Sequence, residues 1–130
     1  MFMRDDYYFL SNMYPCKIEY NGHIFNSVEA AFQAQKDVSR SSEFESLEGR
    51  SAKRLGRKVD LRPDWEEVKL DIMEEILRAK FSDPELAEKL KAVDEPIVED
   101  NTWNDRYWGV CRGKGQNHLG QLLEKIKKDL

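Results

Sequence analysis

Cys16-Lys-Ile-Glu-Tyr-Asn-Gly-His-Ile-Phe-Asn-Ser-Val-Glu-Ala-Ala-Phe-Gln-Ala-Gln-Lys36 changes its periodicity partway along. Its first half alternates around Asn21-Gly22, the dipeptide that best fits a two-residue hairpin turn because both positions need positive φ. Two short strands, Cys16 to Tyr20 and His23 to Phe25, are expected on either side. Ser27 then reads as a helix N-cap, with Glu29 placed in the first turn where the helix dipole favours a carboxylate. The helix is expected to run to about Val38. A hairpin feeding straight into a helix is not the start of an alternating strand–helix–strand unit.

The rest of the chain extends that pattern. A second helical stretch covers roughly Glu43 to Arg57, broken near Gly49 and restarted at Ser51. Pro63 suits the first turn of a third helix. That helix carries Trp65, Val68, Ile72, Met73, Ile76, Leu77 and Ala79 at helical spacing and runs to about Phe81. Asp83-Pro84 reads as cap and first residue of a short helix ending near Ala92. Ile97-Val98-Glu99 and Trp108-Gly109-Val110 are extended candidates. Asn117 opens a last helix with Leu119, Leu122, Leu123 and Ile126 in register. The expected fold is a mainly helical α+β domain of about five helices plus short strands, a single unit over residues 1–130.

Bulk properties agree with that size. With 130 residues and 40% hydrophobic side chains, one core is feasible. No apolar run is long enough to span a membrane, and the N-terminus lacks a signal pattern, so a cytoplasmic protein is the default expectation. Cys16 and Cys111 are too few for a disulfide framework and have no ligand partners at metal spacing, so neither a metal nor a cofactor is implied. Dinucleotide and phosphate-loop fingerprints are absent. The net charge of −4 argues against a general nucleic-acid binder. Charge is nevertheless uneven. Residues 48–62 hold Arg50, Lys53, Arg54, Arg57, Lys58 and Arg62 against Glu48 and Asp60, a basic segment that suits a local anion site or, equally, a solvated helix face.

Two stretches carry candidate chemistry. Glu29, Gln33 and Lys36 are spaced to share one side of the Ser27 helix, beside the anchoring Val28 and Phe32. A carboxylate and an amine at the edge of a buried stripe can be desolvated and shifted toward neutral pKa, unless the face is simply exposed. Downstream, Asn101-Thr-Trp-Asn-Asp-Arg-Tyr-Trp-Gly109 packs two of the three Trp residues around Asp105. Trp103 and Trp108 suit stacking on a flat ring, with Asp105 on hydroxyls or a reacting centre; a Trp-anchored structural loop is the alternative. The two stretches together look like the halves of a small-molecule pocket. Lys69 and Lys80 border the stripe of the Trp65 helix, where an amine can turn nucleophilic or merely snorkel.

Read in order, several segments resemble the NADAR family, the YbiA-like N-glycosidases. They are Phe9-Leu-Ser-Asn12 with Pro15, Ser27 to Lys36, Ala52-Lys-Arg-Leu-Gly-Arg57, Leu61-Arg-Pro-Asp-Trp65 with Lys69 and Met73, and Lys80-Phe81. Leu90, Val98-Glu-Asp-Asn101, Trp103, Asp105, Trp108-Gly109, and Gly113-Lys-Gly-Gln-Asn117 with Leu119-Gly120 complete the set, which spans nearly the whole chain. Ala30 stands where the family often has His, so a role for that His does not carry over.

The resemblance implies hydrolysis of an N-glycosidic bond to ribose, in a phosphoribosylamino-pyrimidine of riboflavin biosynthesis or in ADP-ribose joined to guanine. It therefore implies a small phosphoribosyl or ADP-ribosyl substrate, with ADP-ribosylated nucleic acid as a second candidate. On that reading Glu29 does acid/base work, and Asp105 serves ribose hydroxyls or the developing cation. Lys36, preferred over Lys69, is the amine for a Schiff-base route. Trp103 and Trp108 hold base or ribose, and Arg57, with Arg54, takes phosphate. Asn12, Lys69, Gly109 and Asn117 complete the substrate contacts. The rivals are a non-catalytic nucleotide or ADP-ribose reader, which tolerates loss of Glu29, and a scaffold whose Trp loop is an interface. The leaving base and the oligomeric state are not legible in the sequence.

Overall fold

A computed structural model describes residues Met1 to Leu130. The chain is a mainly helical α+β protein. Strands β1 (Ile18–Tyr20) and β2 (His23–Phe25) pair antiparallel, and helix α1 spans Val28–Ala34. Helices α2 (Gly49–Gly56), α3 (Trp65–Lys80) and α4 (Pro84–Lys91) follow, then strands β3 (Asp100–Asn101) and β4 (Val110–Cys111) and helix α5 (His118–Asp129). Two 3-10 helices, Asp5–Leu10 and Val38–Phe44, were not expected from the sequence. No helix is long and apolar enough to cross a membrane. The chain divides into two compact units, Asn12–Lys80 and the remainder, Met1–Ser11 with Phe81–Leu130.

In the Asn12–Lys80 unit the hairpin forms as the sequence predicts. Ile18 pairs with Phe25 and Tyr20 with His23, with Asn21 at φ 49° and Gly22 at φ 81° in the turn. Ser27 caps α1: its Oγ accepts the Ala30 amide at 3.1 Å. Every residue of α1 is buried, because α2 and α3 both pack against it. Phe32 and Trp65 meet with ring centroids 4.9 Å apart. On α3, Trp65, Ile72, Met73, Ile76 and Leu77 are buried, the stripe that its spacing predicts.

Several boundaries differ from expectation; β1 starts at Ile18, not Cys16. Helix α1 stops at Ala34, not Val38. Asp37 is extended at φ −149°, its carboxylate takes the Ser39 hydroxyl at 2.6 Å, and Val38 is exposed, so no buried stripe continues. The stretch from Glu43 to Leu47 is not α-helical; α2 starts at Gly49, where the Glu48 side chain accepts the Ser51 amide at 2.7 Å. Pro63 lies in the turn ahead of α3 rather than inside its first turn.

In the other unit, Leu86 and Leu90 on α4 and Leu119, Leu122, Leu123 and Ile126 on α5 are buried. β3 and β4 pair parallel, Asp100 with Val110 and Asn101 with Cys111, each a little later in the chain than the extended stretches expected. Cys111 is buried; Cys16, in the first unit, is partly exposed.

Candidate active site

Within Asn12–Lys80, Glu29 and Gln33 are not an exposed polar face. They are 8% and 5% exposed, and Gln33 Nε2 donates to Glu29 Oε1 at 2.9 Å. The Gln33 Oε1 atom is buried with no hydrogen-bond partner. It lies over Gly56 on α2: a Cβ at that glycine would fall 1.9 Å from it. Asn12 joins the same cluster from the chain preceding β1. Its carbonyl accepts the Glu29 amide at 2.9 Å, its Nδ2 faces Met73 Sδ at 3.8 Å, and its Oδ1 is buried without a partner. Glu29 is thus held at its carboxylate by Gln33 and at its backbone amide by Asn12, two residues whose side-chain oxygens are both idle.

Lys36 lies just past α1. Its carbonyl accepts the Arg62 amide at 3.0 Å, which ties the end of α1 to the approach of α3. Its Nζ lies 5.8 Å from the Trp65 ring centroid. Burial pushes the Lys36 amine below the ordinary lysine value; Glu29 opposes that, and Arg57, Lys53 and Lys69 reinforce it. Four cations and one carboxylate therefore share this region. Lys53 on α2 and Arg57 just past its end are one turn apart and both act on Lys36; Arg54, like Arg57, is exposed. Lys53 is the cation that sequence reasoning left out; its spacing of four from Arg57 was the available signal. Lys69 also pairs with Glu66 at 2.6 Å. Lys80 is 1% exposed, with its Nζ 5.6 Å from the Tyr14 ring centroid, a buried amine rather than a snorkelling one.

In the other unit, the aromatic stretch is organised by two side chains. Asp105 Oδ1 accepts the amides of Tyr107 at 3.1 Å and Trp108 at 2.9 Å, a local cap that folds the loop back. Asn101 clamps Asp105 from both sides, its Nδ2 donating to the Asp105 carbonyl at 2.9 Å and its Oδ1 accepting the Asp105 amide at 3.0 Å. Trp103 is 59% exposed, while Trp108 meets Tyr107 edge-on at 4.8 Å and is half-buried. Gly109 is needed for close approach, since a Cβ there would fall 2.3 Å from the Glu99 carbonyl oxygen that accepts the Val110 amide.

Asn117 opens α5, as the sequence predicts. Its Oδ1 accepts the Glu99 amide at 3.0 Å and its Nδ2 donates to the Ile97 carbonyl at 3.1 Å, so both ends of the amide are spent inside the fold. It does not cap α5 with its side chain. The first amides of α5 find carbonyls instead: His118 on Tyr107 at 3.1 Å and Leu119 on Trp108 at 3.0 Å.

The arrangement in the first unit is that of a buried carboxylate near a desolvated amine with further cations about it. A model described as the NADAR domain matches residues 1–130, and the chain belongs to that family. It is 38% identical over 133 residues to the N-glycosidase YbiA of Escherichia coli (strain K12), a match covering 97% of this chain and 83% of that protein. A riboflavin biosynthesis protein of Vibrio vulnificus (strain YJ016) is 33% identical over 129 residues; the match takes in 94% of this chain but 35% of that longer protein. The NMR structure of E. coli YbiA superposes with a TM-score of 0.84 at 38% identity, over 96% of this chain and 79% of that one.

Proposed function

We propose that this chain, a hydrolase of N-glycosyl compounds like its named relatives, cleaves the bond between a phosphorylated ribose and a heterocyclic base or aminopyrimidine. The observation that carries the reading is Glu29: a buried carboxylate held by Gln33, next to a desolvated Lys36 and the cations Lys53, Arg57 and Lys69. The names of relatives, an N-glycosidase and a riboflavin biosynthesis protein, support the substrate class.

Departure of the base builds positive charge on the anomeric carbon, which a nearby carboxylate stabilises. Glu29 takes a proton from the attacking water and returns it to the departing nitrogen, so water is added across the C–N bond. Lys36 offers a second route. Its amine, less protonated than an ordinary lysine, adds to the ring-opened iminium, expels the base and is released by hydrolysis. Arg57 and Lys53 hold the phosphate, and Asn12 Oδ1 accepts from a ribose hydroxyl.

The test is turnover by wild type and Glu29→Gln on a phosphoribosylamino-pyrimidine and on an ADP-ribosylated guanosine oligonucleotide, followed by mass spectrometry of free base and sugar. Release by wild type and a loss of roughly 10²–10⁴ in the variant are expected. Near-normal turnover by Glu29→Gln would refute the assignment, and binding without release would make the protein a reader. Borohydride trapping of a sugar adduct that disappears in Lys36→Arg separates the amine route from the direct one.

A further inference from the structure

The two ends of the buried Gln33 side chain are treated unequally. Its Nε2 is bonded to Glu29 Oε1 at 2.9 Å; its Oε1 is buried and idle. An unpaired buried amide oxygen is costly, and turning the amide over would offer that oxygen to any donor on Glu29. The amide is set the other way, with its donor toward the carboxylate and its oxygen against the bare Cα of Gly56. A donor aimed at a buried carboxylate favours the ionised form.

We infer that Gln33 is a positioning residue for Glu29, held in place by Gly56: it keeps the carboxylate ionised and fixes its Oε1. This rests on Glu29 being the acid–base group. The charged group that acts together with Glu29 is Lys36, just past its own helix; Lys53 on α2, Arg57 just past its end and Lys69 on α3 act in turn on Lys36. All four are cations and all remain in a Gln33 variant, so a difference between variant and wild type isolates the amide.

The experiment is the pH profile of kcat and of kcat/KM for wild type and Gln33→Met, which keeps the length and loses the donor. The acid limb is expected to move up by about one pH unit, with kcat falling about tenfold and KM nearly unchanged. In parallel, the side-chain amide signals of Gln33 are followed by NMR in wild-type protein, which needs no variant to fold. They are expected to titrate with the midpoint of the Glu29 carboxyl and to become flat in Glu29→Gln. An unmoved acid limb in a folded Gln33→Met, or Gln33 signals that ignore the Glu29 titration, overturns the inference. If Glu29→Gln is inactive while the Gln33→Met limb stays put, this inference fails alone; if Glu29→Gln keeps full turnover, the acid–base reading fails and takes this one with it.

Discussion

Replacing Gly56 by Ala puts a methyl group 1.9 Å from Gln33 Oε1, 2.8 Å from its Cδ and 3.3 Å from its Cβ. Ordinary contact begins near 3.4 Å, so the amide oxygen has to retreat by about 1.5 Å. Gln33 is 5% exposed and cannot swing into water. Its end group can yield only by rotating, and a movement of that size breaks the 2.9 Å bond to Glu29. Crowding of this kind costs roughly 1–3 kcal/mol, and the better helix propensity of Ala returns about 1 kcal/mol. Net stability should therefore change little, by about 0–2 kcal/mol of loss, or up to about 8 °C in Tm for a chain of this size. Activity should change more. A hydrogen bond to a charged group is worth about 1.5 kcal/mol, so kcat should drop about tenfold with KM close to wild type. Calorimetry beside steady-state kinetics on the two proteins checks this. A Gly56→Ala enzyme that is more stable and turns over within twofold of wild type would refute the reasoning, because Gln33 would then have moved without any consequence for Glu29.

Other expectations can be checked on the same material. Asn101→Ala removes both bonds to the Asp105 backbone and leaves those buried groups unpaired, a loss of about 1–3 kcal/mol that urea denaturation measures, with Trp fluorescence reporting the loosened loop. Arg57→Ala should raise KM several-fold for a phosphorylated substrate with kcat largely retained, and Arg54→Ala should do neither; equal effects from the two would argue against α2 presenting Lys53 and Arg57 as the phosphate face. Burial pushes the Lys80 amine down to about 8. Because the folded-state value lies below the unfolded one, the folded chain binds fewer protons between about pH 8 and pH 10.5, and stability from this group rises across that window by on the order of 3 kcal/mol. The wild-type slope measured against Lys80→Met isolates the contribution, and parallel curves for the two proteins would contradict it.

What could be read from residues alone was the short-range part. Asn21-Gly22 sets a hairpin because its two φ values are local properties, and Ser27 caps α1 because its oxygen needs to reach only the Ala30 amide. The stripe on α3 follows from spacing within one helix, and the same spacing grouped Glu29 with Gln33 and Lys36. The family resemblance was legible for the same reason, since its motifs are short and local in the chain.

Four features needed the tertiary structure. Whether Glu29 was a solvated face or a buried carboxylate depended on α2 and α3 packing over it, and desolvation is a property of the surroundings rather than of the residue. The choice of Lys53 over Arg54 depended on which side of α2 faces Lys36. Asn117 opens α5 as its place in the sequence predicts, but the closure of its amide on Ile97 and Glu99, twenty and eighteen residues away, is long-range. Helix α1 ended early because Asp37 and Ser39 bond to each other and Val38 has no core to enter. The sequence by itself determined the local turns, caps and apolar stripes, whose energies are set within a turn or two of backbone. The tertiary structure decided burial, charge environment and long-range amide partners, whose energies depend on elements distant in the chain.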